Sequence, residues 1–387
     1  MMKLKLLLFF ALFSGFANAQ ILSKSIILKD ADTNLPVFEA TVQIMRTKQI
    51  LLSNTDGLVT FTLKSASNIQ ITSASYISVT IKSATLKDLV TTIYLKSSVN
   101  ELEEFVFSKQ HPQKILKNLV DNSKNKLTTP ARLKVYSREF FKQNDAYSYY
   151  NDGLMNFQIY DKSKKFDTNI LVEQNRGYGL INDEMSDELL GYNLNDIMEN
   201  YYNFKYLNPV IDPAAKKKYD YLIKVYAANK DYYIMTIKPK DENKELLDDY
   251  TIIYDSNLKM IIEATTEVSP RTLSKMIDKI NVGAKNVFKS MFKNIYRFDN
   301  VNYYLVSSRE EIGFNKVGKT NVQKIEVRNY MVTTNFSNQN YSFKASDVYK
   351  DKSLFNKKNT ILSQYWIDCG LTATKEEQDI INEIDDK

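Results

Sequence analysis

One histidine and one cysteine stand in a chain of 387 residues, and that scarcity excludes more chemistry than any motif suggests. A lone imidazole, His111, leaves no histidine cluster for zinc and removes the histidine-dependent serine, cysteine and metallo-hydrolase mechanisms. A lone thiol, Cys369, leaves no intramolecular disulfide, so stability has to come from burial. Glycine and proline are sparse at 10 and 7 residues, which excludes collagen-like repeats and Gly/Ser linker proteins. What is abundant is apolar and aromatic: 43% hydrophobic residues, with 26 Tyr and 20 Phe, enough for a sizeable core and too much for a disordered chain. The net charge of +6 is spread along the length, so no nucleic-acid partner is expected.

The first residues have the layout of a secretory signal. Lys3 and Lys5 precede the apolar run Leu6 to Phe13, and Ala17-Asn18-Ala19 closes it with small residues. A basic start, a short apolar core and an A-x-A site predict a signal peptide over residues 1–19, cleaved after Ala19. The run is short for a membrane anchor, and no later stretch approaches the roughly 18 apolar residues of a spanning helix. The expected place is therefore outside the cytoplasm: periplasm, outer membrane or cell surface, with no transmembrane span in the mature chain.

Residues 20–98 read as a small all-β module. Apolar or alternating runs at Ser25–Lys29, Val37–Met45, Leu58–Leu63, Ile69–Ser73, Tyr76–Ile81 and Thr92–Leu95 are separated by turn residues. Asp30-Ala31-Asp32-Thr33-Asn34 and Asn54-Thr55-Asp56-Gly57 are the clearest turns, the second because Asp-Gly supplies positive φ. Asp30-x-Asp32-x-Asn34 imitates a calcium loop, but Leu35 and Thr41 replace the glycine and bidentate glutamate such a loop needs. No metal and no cofactor are expected.

Lys29 to Val37 followed by Ala40-Thr41-Val42, with the Asn54–Gly57 turn, Ser75-Tyr76 and Glu101 to Val106, resembles the carboxypeptidase regulatory-like domain. That resemblance implies a transthyretin-like antiparallel β-sandwich serving as an accessory module. It implies no peptidase activity. Ile26, Asn34 and Ser75 stand where the family usually has glycine.

Residues 99–112 form a link, in which His111 beside Pro112 reads as a solvated residue rather than a catalytic one. The remainder, 113–387, reads as a β-rich domain with helices near 113–126, 187–202, 271–295 and 374–385. Strands are expected at 133–142, 147–160, 168–173, 219–227, 232–238, 250–254, 259–268, 301–312 and 322–333. Ile115 to Asn122, Tyr136 to Phe140 and Trp366-x-x-x-Gly370-Leu371-Thr372 with Glu376-Glu377 resemble a family of exported β-rich proteins of unestablished function. Successive hairpins suggest a large curved antiparallel sheet or half-barrel, similar at fold level to the lipoprotein-carrier half-barrel that binds acyl chains.

One segment carries the functional expectation. Between Arg271 and Ile295, apolar residues recur at intervals of three and four, and Lys275, Lys279, Lys285, Lys289 and Lys293 take the other side. The spacing predicts a helix packed on the sheet. Its functional form is a lid, with Met276, Ile280, Phe288 and Met291 over a lipophilic cavity and Lys275, Lys279, Lys289 and Lys293 against membrane or another anion. Glu310-Glu311 and Asp248-Asp249 offer carboxylates, but neighbours on a strand point to opposite faces, so neither pair is a dyad. Taken together, these residues suggest a mainly β exported protein with some helix, non-enzymatic, acting in envelope binding or assembly. The expected partners are an envelope lipid, a glycan or an outer-membrane protein, with a lipid or other hydrophobic ligand in the second domain. The rivals are a carboxylate-dependent glycan hydrolase and a purely structural envelope component.

Overall fold

The computed structural model describes residues 22–97, 105–106, 108–160, 166–179, 193–227, 229–275, 285–317, 321–355, 357–361 and 370–385. The expected signal peptide, Trp366, Cys369, Met276, Lys279 and Ile280 lie outside these residues.

The front of the chain forms two small sheets. Strands β1 (Leu22–Asp30), β4 (Leu58–Leu63) and β7 (Val90–Leu95) make one, in the order β4-β1-β7. Strands β2 (Thr41–Ile44), β3 (Gln49–Leu52), β5 (Asn68–Ser73) and β6 (Tyr76–Lys82) make the other, in the order β3-β2-β5-β6. The alternating residues Ile26, Leu28, Val42, Ile44, Val59, Phe61, Ile69 and Ile71 are all buried in one core, as a period of two requires. The sandwich departs from a purely antiparallel one because β1 and β7 run parallel. Two turns bear out their chemistry. Gly57 has φ +72, and a Cβ there would sit 2.3 Å from the Leu28 carbonyl oxygen. Asn34 has φ 60, a conformation asparagine tolerates. The Asp30 carboxylate accepts the Asp32 and Thr33 amides at 2.9 and 2.7 Å, so the calcium-like sequence serves as a turn.

The larger unit is one sheet of ten strands: β8 (Ala131–Gln143), β9 (Ala146–Ile159), β10 (Thr168–Gly179), β11 (Tyr219–Val225), β12 (Tyr232–Pro239), β13 (Asp248–Asp255), β14 (Met260–Val268), β15 (Lys285–Phe298), β16 (Tyr303–Val317) and β17 (Val322–Ser337). Their order is β10-β9-β8-β17-β16-β15-β14-β13-β12-β11, every pair is antiparallel, and the described strands form a curved sheet rather than a closed barrel. One face is covered by α1 (Pro112–Lys126) and α2 (Leu194–Tyr202), whose Leu116, Leu119, Val120, Ile197, Met198 and Tyr202 pack into the main apolar core. We call this the helical face. The opposite face receives the sandwich and the last helix, α5 (Lys375–Asp385); short helices α3 (Asn208–Ile211) and α4 (Pro270–Leu273) complete the set. Among the described residues no helix is long and apolar enough to cross a membrane.

One expectation needs correction. The segment expected to form a helix over 271–295 is α4, four residues long, and then, from Lys285, strand β15. The reason is the phase of the pattern. A β-bulge at Val287/Lys289 makes Phe288 an extra residue of β15 and breaks its period of two, whereas the shift at Ile295/Tyr296 places the extra residue, Val306, on β16. Both faces of β15 are partly covered, which blurs the alternation further. At the end of the link, His111 Nδ1 accepts the Gln113 amide at 3.1 Å and caps α1, and its ring meets Tyr221 edge-on at 5.5 Å. Partial burial, then the nearby Lys216 and Lys240, lower its pKa, which favours the neutral ring that capping requires.

Candidate functional site

The sandwich and the large sheet are joined by paired backbone as well as by side chains. Leu52 forms a parallel bridge with Leu371 and donates to the Gly370 carbonyl at 2.9 Å, and Ile50 and Leu52 belong to the core of the larger unit. Thr372 Oγ1 accepts the Thr60 amide at 2.9 Å. Beside this seam the two units stand apart and leave a cleft of about 710 Å³. Its sandwich wall comes from the loop before β2 and the β5–β6 hairpin, including Phe38, Glu39, Gln70 and Tyr76; its sheet wall includes Tyr232, Glu263, Lys293, Arg297 and Phe298.

Glu39 has φ 57, a left-handed backbone position that turns its side chain inward, where it is 8% exposed. Its carboxylate meets Lys293 at 2.8 Å and Arg309 at 3.4 Å. Lys293 meets Glu263 at 3.0 Å. Arg309 and Lys289 both pair with Glu311. The result is an alternating row, Glu263, Lys293, Glu39, Arg309, Glu311, Lys289, with three charges of each sign and no surplus. Burial disfavours the Lys293 ammonium, but Glu263 and Glu39 more than offset this and raise its pKa. Burial likewise pushes against ionisation of Glu311, and Lys289 and Arg309 overcome it and lower that pKa. The Tyr76 hydroxyl is pushed up to about 12 by burial and then by Asp30.

One donor in the cleft wall is left over. Arg297 donates from Nη2 to Gln70 Oε1 at 2.5 Å, while its buried Nη1 has no hydrogen-bond partner among the described residues. The rings of Tyr76, Tyr232 and Phe298 are half-buried in the same walls, so the cleft combines aromatic surfaces with the Arg297 guanidinium.

Of the five residues singled out from the sequence that are described, Lys293 alone lines this cleft. Lys289 and Met291 share its face of β15, Lys289 paired with Glu311 and Met291 half-buried opposite Glu311 and Glu267. Phe288 is the bulge residue, packed over Gly313 with Lys324 5.5 Å from its ring centre. Lys275 is exposed and donates to the Asp241 and Asn243 carbonyls. Glu39, Glu263 and Arg297 carry no local signal, because what distinguishes them is a neighbour 30 to 270 positions away.

What fold and site define is a two-part β protein with a polar cleft between sandwich and sheet. No family model matches the chain, and no curated protein matches it. Among solved structures, the crystal structure of a LolA superfamily protein from Nitrosomonas europaea is similar at 10% identity, covering 58% of this chain and 94% of that one, with a TM-score of 0.19. A likeness that slight does not relate the two folds.

Proposed function

We propose that this protein is an exported, non-enzymatic binding protein of the cell envelope, and that the cleft between sandwich and sheet holds a polar, uncharged or weakly acidic glycan. The observation carrying this reading is Arg297, with Nη1 unpaired among the described residues, in a cleft whose other charged lining residues, Glu39, Asp255, Glu263 and Lys293, leave no positive surplus. A polyanion would find no surplus of positive charge here, whereas a sugar offers oxygen acceptors to Arg297 and flat C–H faces to Tyr76, Tyr232 and Phe298. Export rests on the residue pattern of positions 1–19, and the accessory role of the sandwich on its resemblance to the carboxypeptidase regulatory-like domain. A hydrophobic ligand in the second domain would instead have to enter the helical face, where Leu116, Ile197, Met198 and Tyr202 now pack against the strands.

A glycan array probed with the mature chain, followed by calorimetry on the best oligosaccharide, tests the reading. Arg297→Ala should weaken binding about tenfold, the worth of a hydrogen bond to a charged donor, beyond the stability lost with its bond to Gln70. No binding to any glycan, together with uptake of a fluorescent fatty acid, would place the ligand on the helical face instead.

A further inference from the structure

The helical face holds two acids that no ion pair explains. Glu139 on β8 and Glu310 on β16 are each directly opposite Asn329 on the intervening β17, so the three side chains form one row across the sheet. Residues directly opposite share a face, and two strand spacings put the glutamate Cα atoms about 10 Å apart, within reach of converging side chains. All three are buried, at 8%, 6% and 3% exposure for Glu139, Glu310 and Asn329. Two positions along the strands, Phe141, Val327 and Ile312 form an apolar cluster; two positions the other way, Ser137, Met331 and Ser308 lead to the main core. The row is therefore a polar line inside an apolar face.

Two of its oxygens are buried acceptors without donors. Glu310 Oε1 accepts the Tyr201 hydroxyl at 2.8 Å from α2, but Glu310 Oε2 has no partner, and neither has Asn329 Oδ1. Glu139 makes no hydrogen bond or ion pair among the described residues, and the groups facing it are Glu310 and the Tyr149 hydroxyl. Leaving such oxygens buried and uncompensated is costly, and no arginine or lysine reaches them.

We propose that Glu139, Asn329 and Glu310 form an interior site for one hard divalent cation of the calcium or magnesium class. Two carboxylates and an amide oxygen are the donor set such ions take, with water completing the shell, and softer metals would need imidazole or thiolate. The site is separate from the cleft, on the opposite face of the sheet, and does not depend on the glycan reading.

The test is calorimetric titration of chelator-treated full-length protein with calcium chloride and, separately, magnesium chloride. One ion per chain should bind. Glu139→Gln and Glu310→Gln, which keep shape and remove charge, should each weaken binding at least tenfold. If neither ion binds the wild-type chain at millimolar concentration, the row holds no cation and the proposal fails. Equal binding by the glutamine variants would overturn it too.

Discussion

Replacing Glu377 by alanine should free the C-terminal helix from the sheet. Glu377 Oε2 meets Arg138 at 3.0 Å and Oε1 meets Arg328 at 3.2 Å, and the same side chain accepts the Thr374 amide while Thr374 Oγ1 accepts the Glu377 amide, a capping box at the start of α5. Arg138 is only 3% exposed, so alanine leaves a buried guanidinium uncompensated, at a cost of about 3–5 kcal/mol. Loss of the cap adds about 1 kcal/mol. The Arg328 pair counts for little, because that side chain is 30% exposed. Against this, α5 is held by Ile380, Ile381 and Ile384 on Phe140 and Tyr150, roughly 5–9 kcal/mol at the upper bound of about 1.5–3 per buried side chain. The loss is comparable with what docks the helix. Hydrogen exchange should therefore show residues 375–385 losing protection before the sheet does, with denaturation registering the cost. Arg138→Met combined with Glu377→Leu should recover most of it, because an apolar replacement removes both charges together. A Glu377→Ala protein within 1 kcal/mol of wild type, with the helix still protected, would refute this reasoning.

Without added cation, stability should fall as pH rises from about 4.5 to about 8. Glu139 and Glu310 hold protons in the folded state that they release when unfolded, so the folded chain binds more protons throughout that window; Glu139→Gln should flatten the slope in pH-dependent urea titrations. Gly57→Ala should cost more than 2 kcal/mol, about 1 from positive φ and the rest from the close approach to the Leu28 carbonyl, as read by thermal unfolding. Asp152→Ala should be among the most damaging substitutions, since its wholly buried carboxylate accepts from Tyr136, Tyr150 and Arg176; measured loss below about 1.5 kcal/mol would contradict that.

Strands were legible wherever one face is buried and the register is unbroken. Tyr219, Tyr221 and Ile223 on β11, and Ile26 and Leu28 on β1, kept their period of two into the fold. The segment from Arg271 to Ile295 was misread because bulges are properties of a strand pair, and β16 had to be present for Phe288 to become the extra residue. The reasoning that Glu310 and Glu311 face opposite sides of a strand holds: Glu311 joins Arg309 and Lys289 on the sandwich face, and Glu310 joins the helical face. What it omitted was Glu139, brought beside Glu310 through β17, a pairing that local spacing does not encode.

Scarcity of histidine and cysteine thus set the chemical limits from the sequence alone, because side chains that are absent supply no mechanism in any fold. Turn chemistry did the same for the sandwich, since φ preferences at Asn34 and Gly57 act within a few residues. The tertiary structure decided the rest: the cleft, the charge-balanced row on one face and the acid pair on the other. Each of these depends on which strands become neighbours, and burial of whole faces, rather than any short run of residues, determines that.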